Sequence, residues 1–375
     1  MKAFLILEDG TIFRGESFGS TNEVICEIVF NTSMTGYLET LTDPSYVGQG
    51  VVCTFPLIGN YGIALEDAES ERPWVAAFIV RELAKRASNF RNNKTLEEFV
   101  LENNIPGIQG IDTRGLTRIL RERGTMNGMV TCNEENTCGD AFKIVIEKIK
   151  THKIINSVET VSRKTKTYNT NKQLRPESKD EFCEQKKYRV ALLDLGFKFN
   201  MVGMLLKRGC EVTTFNCFTK AEEIIAGKYD GIMLSNGPGD PQDNVGVIET
   251  TKKLTESGIP IFGVCLGHQI LALAAGGTTY KLKYGHRGSN HPVKDLATGR
   301  VYISSQNHGY VVDKDSLNPK VAVVSHINVN DGTVEGIRYK NKKIFSVQYH
   351  PEACAGPRDS EYLFDEFIEL MGGTN

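Results

Sequence analysis

The sequence lacks the features that mark several classes of protein. No apolar run approaches the roughly 20 residues that span a bilayer, and Glu8 interrupts the first apolar stretch too early for a signal peptide. Neither sign of charge dominates, because 44 Lys and Arg stand against 46 Asp and Glu, for a formal net charge of −2. A general nucleic-acid binder needs a basic excess. These absences predict a cytoplasmic protein that binds neither a membrane nor nucleic acid.

Metal and nucleotide motifs are absent from the sequence as well. Nine cysteines occur without a C-x-x-C pair, which argues against a zinc ribbon, and their odd number argues against a disulfide framework. Neither G-x-x-x-x-G-K-[ST] nor a helix-opening G-x-G-x-x-G is present. We therefore expect no metal site and no cofactor-binding site in this chain.

Length and composition indicate two domains. The 375 residues exceed the usual size of one domain, about 100–200 residues. Residues 157–187 are polar, charged and aperiodic, which is typical of a linker. The expected organisation is an N-terminal domain at 1–156, a solvated linker at 157–187 and a C-terminal domain at 188–375.

The N-terminal domain is predicted to be mixed α+β. Apolar residues 3–7, a turn at 8–11 and apolar residues 12–13 form a hairpin pattern. Apolar runs predict further strands, and apolar residues three and four apart predict helices. The expected strands are 27–30 and 50–55, and the expected helices are 96–103, 114–123 and 141–150.

The C-terminal domain alternates predicted strands and helices. Strands are expected at 190–194, 212–215, 232–234 and 260–264, with helices between and after them. Such alternation predicts an α/β fold with a mainly parallel sheet flanked by helices. Ligands bind at the carboxyl ends of parallel strands. The segment G-P-G at 237–239 and Cys265 both fall at such ends.

Cys265 lies in a pattern that is typical of a nucleophile elbow. The segment G-V-C-L-G at 263–267 separates a predicted strand from a predicted helix, like G-x-S-x-G with cysteine in place of serine. The helix N-terminus favours the thiolate, and the N–H of Leu266 would face the oxygen of an attacked carbonyl. A second oxyanion donor is expected at Gly237 or Gly239. The plainer interpretation is a buried cysteine in a helix-opening turn.

A base for this cysteine is expected at His350. It follows the predicted strand 344–347, and Glu352 stands two residues later, where it can orient the ring. A surface turn is the simpler alternative. His268 is close to the cysteine in sequence but lacks a nearby acid, so we expect a structural role for it. His308 as a metal ligand is disfavoured, since no second ligand stands at metal-site spacing.

Four motifs of the C-terminal half resemble class I glutamine amidotransferases of the Cys-His-Glu type. G-V-C-L-G-H-Q, S-N-G-P-G-D-P, Q-N-H-G and H-P-E-A occur in that family's order from residue 188 onward. In the N-terminal half, F-N-T-S-M-T-G-Y-L-E-T-L-T-D-P-S-Y, F-P-L-I-G-N-Y-G and G-I-D-T-R-G-L-T-R resemble the small, glutaminase subunits of carbamoyl phosphate synthases. The resemblance covers essentially the whole chain.

The resemblance implies that L-glutamine is hydrolysed through a thioester on Cys265, with His350 and Glu352 as catalytic partners. Ammonia would pass to a large synthetase subunit, which uses ATP and magnesium to make carbamoyl phosphate from bicarbonate for arginine or pyrimidine synthesis. Oxyanion donors would be the amides of Leu266 and Gly237. The glutamine contacts that the resemblance implies are Ser45, Gly237, Gly239, Leu266, Gln269, Asn307, Gly309 and Tyr310. The segment 307–310 is expected to be a substrate-contacting loop.

Two positions depart from the family pattern. Cys354 replaces the usual serine after H-P-E-A, and Tyr310 stands where phenylalanine is common. Cys354 suggests an oxidative bridge to Cys265, provided that the two Cα atoms lie within about 7 Å. Three alternatives stay open: the glutaminase of another amidotransferase, a stand-alone cysteine hydrolase, and a regulatory subunit with a vestigial site.

Overall fold

The computed structural model describes residues 1–175, 187–353 and 355–372. The chain divides into two compact units, Met1–Ile155 and Asn156–Asn375. Each has its own sheet and apolar core. Among the described residues, no helix combines the length and the apolar character needed to cross a membrane.

The first unit is built on a closed barrel with the strand order β1-β2-β8-β6-β4-β3-β9, and β5 pairs with β7 beside it. The strands are Lys2–Leu7 (β1), Ile12–Gly19 (β2), Val24–Asn31 (β3), Gln49–Cys53 (β4), Leu57–Ile58 (β5), Ala77–Ile79 (β6), Glu82–Leu83 (β7), Pro106–Gln109 (β8) and Met126–Thr131 (β9). The helices are Tyr37–Thr42 (α1), Leu96–Glu102 (α2), Thr113–Arg123 (α3) and Gly139–Thr151 (α4).

Local sequence patterns explain the hairpin and the helices of this unit. The predicted hairpin is confirmed, with Leu5 opposite Phe13 in the antiparallel pair of β1 and β2. All three predicted helices are present as α2, α3 and α4. Thr95 and Glu98 cap α2 through a reciprocal capping box, which satisfies the free N–H groups of its first turn.

The described strands of the second unit form one sheet, in the order β10-β12-β11-β13-β14-β19-β18-β17-β15-β16. They are Lys166–Tyr168 (β10), Tyr188–Asp194 (β11), Cys210–Asn216 (β12), Gly231–Leu234 (β13), Ile261–Val264 (β14), Thr279–Asp295 (β15), Val301–Val312 (β16), Ala322–Asn328 (β17), Val334–Tyr339 (β18) and Ile344–Val347 (β19). The helices are Ser157–Val161 (α5), Phe199–Lys207 (α6), Ala221–Ala226 (α7), Val245–Thr255 (α8), Leu266–Ala274 (α9) and Tyr362–Gly372 (α10).

The predicted α/β fold is confirmed in the centre of this sheet, where β12, β11, β13, β14 and β19 run parallel. Successive residues of β11 enter two different cores: Val190 and Leu192 pack in one, Ala191 and Leu193 in the other. Both faces of the sheet are therefore covered, as expected for parallel strands. The antiparallel extension through β18, β17, β15 and β16 was not predicted.

Two sequence predictions are wrong in this unit. Of the linker predicted at 157–187, residues 157–175 are not a solvated connector, because they contribute α5 and β10, and β10 pairs with β12. Residues 176–186 of that prediction lie outside the described residues. Val158 and Val161 are buried and add to the apolar core, which explains why their segment folds as helix α5. Residues 307–310 are not a loop either: they lie within β16, where Asn307 pairs with Arg287 of β15.

Two glycines set the distance between α9 and the sheet. A Cβ atom on Gly267 would lie 2.3 Å from the carbonyl oxygen of Leu234 in β13. A Cβ atom on Gly263 would lie 2.9 Å from the carbonyl of Gly267. Any larger residue would therefore push the start of α9 away from the strands, which close packing does not tolerate.

We predict opposite effects for the same substitution at the second residue of two helices. Gly267→Ala should lower the free energy of unfolding by about 1–3 kcal/mol through overpacking. Gly246→Ala, in α8, has nothing within 4 Å of the added atom, and should raise stability by up to about 1 kcal/mol because alanine favours helix. Urea unfolding of both variants measures the difference, and equal effects would contradict this packing argument.

Candidate active site

Cys265 stands in a strained turn between β14 and α9. Its backbone has φ +54° and ψ −104°, a region that residues with a Cβ atom rarely adopt. Its N–H donates to the carbonyl of Val347 at 2.9 Å, and its carbonyl accepts from the N–H of Gln269 at 3.1 Å. Strain of this kind amounts to about 1–3 kcal/mol and is concentrated at functional sites.

The start of α9 presents backbone N–H groups beside this cysteine. Leu266 is the first residue of the helix, so its N–H has no acceptor within the helix. The N–H of Gly267 is already used, since it donates to Ser235 O at 3.0 Å. Gly237 adjoins Leu266, because a Cβ atom at Gly237 would lie 2.7 Å from Leu266 Cδ2. Helix polarity here favours a negative charge on the sulfur or on a bound oxygen.

His350 and Glu352 form a buried pair after β19. Nδ1 of the ring lies 2.7 Å from Oε1 of Glu352. The N–H of His350 donates to the carbonyl of Ser305 at 2.9 Å, which fixes the backbone of this segment. Nε2 has no hydrogen-bond partner among the described residues. One ring nitrogen is therefore held by a carboxylate, and the other is left for a reacting group.

Charges around the ring favour its protonated form. Burial and the Lys198 ammonium lower the pKa of His350, but the negative charges of the Glu352 carboxylate and of a Cys265 thiolate raise this pKa by more. The net pKa lies above the ordinary value for histidine. A proton released by Cys265 would therefore be held by the imidazole.

A lysine that the sequence analysis missed completes this pair. Nζ of Lys198 lies 2.8 Å from Oε1 of Glu352, and both side chains are almost fully buried. Burial alone would raise the pKa of Glu352, but the nearby charges of Lys198 and His350 hold that pKa below its usual value. Asn200 adds a hydrogen bond from its side chain to the carbonyl of Glu352. The carboxylate thus stays ionised inside the protein.

Several of the predicted glutamine contacts lie around the cysteine. The Cys265 thiol donates to the carbonyl of Asn307 over 3.7 Å. Nε2 of Gln269 donates to the carbonyl of Tyr310 at 2.7 Å and to Oε1 of Gln348 at 3.0 Å. Nε2 of Gln348 in turn reaches Cys265 Sγ at 3.7 Å. Gln348 is a second residue that the sequence analysis missed.

The remaining predicted glutamine contacts are Gly239, Gly309 and Ser45. Gly239 has φ +86°, a conformation that favours glycine, and a Cβ atom there would lie 2.1 Å from Ser157 Oγ, so that hydroxyl group would have to move. Gly309 follows His308 in β16, near the guanidinium of Arg287. Ser45 is buried in a short 3₁₀ turn of the first unit, where its N–H donates to Asp43 Oδ1 at 2.9 Å. The roles of these residues stay predictions.

The structure bears on the prediction made for His268 but not on the one made for Cys354. Nδ1 of His268 lies 2.9 Å from Ser346 Oγ, and burial lowers the pKa of this ring to about 3, so the ring is neutral. These surroundings favour the structural role expected from the sequence. Cys354 lies outside the described residues, and its bridge to Cys265 stays a prediction.

Three buried residues of the antiparallel extension have the donor types of a metal site. His286, His308 and Glu335 each offer an atom within 4.8 Å of the others. Both ring nitrogens of His308 already have partners, Tyr310 O and Gln306 Oε1, and Gln306 also donates to Glu335. The cluster is therefore a hydrogen-bonded network in this structure.

The two missed residues differ in how far the sequence could have revealed them. Gln348 is two residues before His350, and extended chain places such residues on the same side. That spacing was a usable signal. Lys198 gave none, because lysines are rarely buried and its partner Glu352 is distant in sequence. Only the fold brings the segment after β11 to the segment after β19, across the ends of β13 and β14.

We predict that Lys198→Met will destabilise the protein strongly, because it leaves Glu352 as a buried charge without its ammonium partner. The expected loss is about 3–5 kcal/mol in the free energy of unfolding at pH 7, measured by urea titration. Lys207→Met, at an exposed position of α6, should change this energy by less than about 0.5 kcal/mol. The double variant Lys198→Met/Glu352→Gln should recover part of the loss. Equal stability of the two lysine variants would contradict the role given to the ion pair.

Comparison with known proteins assigns the chain to a family. The family model described as "Glutamine amidotransferase class-I" matches residues 191–370, and the one described as "Carbamoyl-phosphate synthase small chain, CPSase domain" matches residues 5–130. The carbamoyl phosphate synthase small chain of Clostridium perfringens is 49% identical and covers 98% of this chain and 99% of its own length. That of Listeria monocytogenes serotype 4b is 48% identical over 99% of this chain and 97% of its own length. The chain belongs to the carbamoyl phosphate synthase small-chain family.

Proposed function

We propose that this chain hydrolyses L-glutamine to glutamate and ammonia and passes the ammonia to a large synthetase subunit in the cytoplasm. That subunit would use ATP and magnesium to make carbamoyl phosphate from bicarbonate, for arginine or pyrimidine synthesis. The observation that carries the proposal is the strained Cys265 at a helix start beside the buried pair of His350 and Glu352. The small-chain relatives, matched over nearly their full length, supply the context of the partner.

The proposed acylation step uses each of these groups. His350 accepts the thiol proton, and Cys265 Sγ attacks the side-chain carbonyl carbon of glutamine. The N–H groups of Leu266 and Gly237 would donate hydrogen bonds that stabilise the negative charge developing on the carbonyl oxygen. When the C–N bond breaks, His350 returns its proton to the leaving nitrogen. Ammonia leaves, and a glutamyl thioester remains on Cys265.

Hydrolysis of the thioester reverses these roles. A water molecule gives a proton to His350 as its oxygen attacks the thioester carbon. The C–S bond then breaks, glutamate leaves, and the proton on His350 restores the thiol. Glu352 keeps the ring oriented in both steps through the 2.7 Å contact with Nδ1, and Lys198 keeps Glu352 ionised.

The substrate contacts in this proposal come from several segments. Gln269, Asn307 and Tyr310 are supported by their hydrogen bonds around Cys265. Gly239 and Gly309 would offer backbone groups, since glycine lets a ligand approach the chain closely. Ser45 stays a predicted glutamine contact.

A cysteine hydrolase that acts alone is the main alternative. The same nucleophile, base and acid would suit a peptide or ester substrate. The match of residues 5–130 to the small-chain domain favours the amidotransferase, since a stand-alone hydrolase has no need of that domain. Glutamine turnover that does not respond to the large subunit would favour the alternative.

We predict that the two nitrogen sources will separate the roles of the subunits. In complex with the large subunit, Cys265→Ala should abolish carbamoyl phosphate synthesis from glutamine, because no thioester can form. Synthesis from added ammonium should stay close to wild type, since ATP chemistry belongs to the partner. The measurement is the initial rate of carbamoyl phosphate formation from each source.

The matched control is Cys217→Ala, which removes a different buried thiol of the same unit. This variant should keep both activities. Equal loss of both activities in Cys265→Ala would show that Cys265 is needed for the complex itself, and full retention with glutamine would exclude Cys265 as the nucleophile.

A further inference from the structure

Helix α3 of the first unit carries a stripe of arginines on its exposed side. Thr113, Leu116 and Leu120 are buried against the barrel. Arg114, Arg118 and Arg121 follow at spacings of four and three, so they share one face of the helix and are exposed. We call these three residues the arginine stripe.

The arginine stripe lines one side of an open groove of about 1050 Å³. Arg81, which follows β6, adds a fourth guanidinium to the lining, and its Nη1 donates to the carbonyl of Ile111 at 3.1 Å. Thr54 and Thr117 add hydroxyl groups. The groove therefore presents hydrogen-bond donors and positive charge along its length.

Helix α3 offsets the repulsion within the stripe only in part: Arg121 lies in the last turn, where the helix dipole favours a cation, and Glu122 stands four residues after Arg118. None of the three stripe residues forms an ion pair among the described residues. Like charges three or four residues apart on one helix face repel each other and destabilise the helix. Arg114 also stands in the first helical turn, where the helix dipole opposes a cation. The acid of the lining, Asp112, already accepts from the N–H of Gly115.

The exposure of the arginines indicates what kind of partner fits. A single small anion gains little from charges that water and salt screen, and small-molecule sites are usually enclosed and mainly apolar. Several exposed guanidinium groups in a row suit a surface with several carboxylates, because such surfaces attract one another at a distance and then pair group by group. Arginine is also enriched in protein interfaces.

We propose that the arginine stripe docks on an acidic surface of the large synthetase subunit. This inference rests on the proposed function, which requires that partner. The stripe lies within residues 5–130, the part that matches the small-chain domain rather than the amidotransferase domain. The chain as a whole has a formal net charge of −2, so the positive field is local to this face. The interaction adds affinity and a fast encounter, separate from glutamine chemistry.

The test uses the full chain and the purified large subunit of the same organism. Arg114→Glu/Arg118→Glu should weaken the complex at least tenfold at low salt, and the difference from wild type should shrink as salt rises. Arg114→Gln/Arg118→Gln should have a smaller effect in the same direction. The control, Lys143→Glu/Lys148→Glu, makes the same change of charge on exposed positions of α4 and should bind like wild type.

Two measurements, glutamine hydrolysis and binding to the large subunit, distinguish the possible outcomes. Glutamine hydrolysis by the isolated variants should equal that of wild type, which shows that they are folded. If the arginine variants bind as tightly as wild type, or if the α4 control loses equal affinity, the docking inference is overturned and the proposed function is untouched. If the wild-type chain does not bind the large subunit at all, both are overturned.

Discussion

The buried ion pair of Lys198 and Glu352 is the interaction on which the rest of the site depends. A carboxylate without solvent needs a counterion, and the 2.8 Å contact with Nζ provides it. The ionised carboxylate then holds Nδ1 of His350 and raises the pKa of the ring. Nε2 has no hydrogen-bond partner among the described residues, and in the proposed reaction it accepts the proton of Cys265. Removal of the lysine would therefore alter the charge of Glu352 and, through it, the pKa of His350.

The parallel sheet explains how these groups meet. Lys198 follows β11, Gly237 follows β13, Cys265 follows β14 and His350 follows β19. These four strands are neighbours in this order and run in one direction, so their carboxyl ends share an edge. Gly263 and Gly267 allow α9 to start close to that edge. The position of the site therefore depends on the order and direction of these strands more than on any single motif.

The secondary-structure elements that depend on local sequence patterns were predicted correctly. The β1–β2 hairpin, helices α2 to α4 and the central strands of the second unit are present near their predicted positions, because periodicity, turns and capping residues act over a few residues. The turn that holds Cys265 between β14 and α9, and the contact between His350 and Glu352, also follow from short motifs. Each of these signals lies within about one element of structure.

Features that depend on distant pairing were not predictable. The closure of the barrel needs β9 to pair with both β1 and β3. Residues 307–310 contain polar groups and a glycine, which are typical of a loop, yet pairing with β15 makes them strand. Lys198 is buried only because the fold supplies Glu352. In each case a partner far along the chain overrides the local preference.

The proposed function requires Cys265 to form a covalent bond with the substrate. The most direct measurement is mass spectrometry of the full chain, quenched in acid during steady-state turnover of glutamine and then digested. We predict a glutamyl adduct on the peptide that contains Cys265, which disappears when glutamine is exhausted. Production of glutamate without such an adduct, or an adduct on another cysteine, would contradict the account.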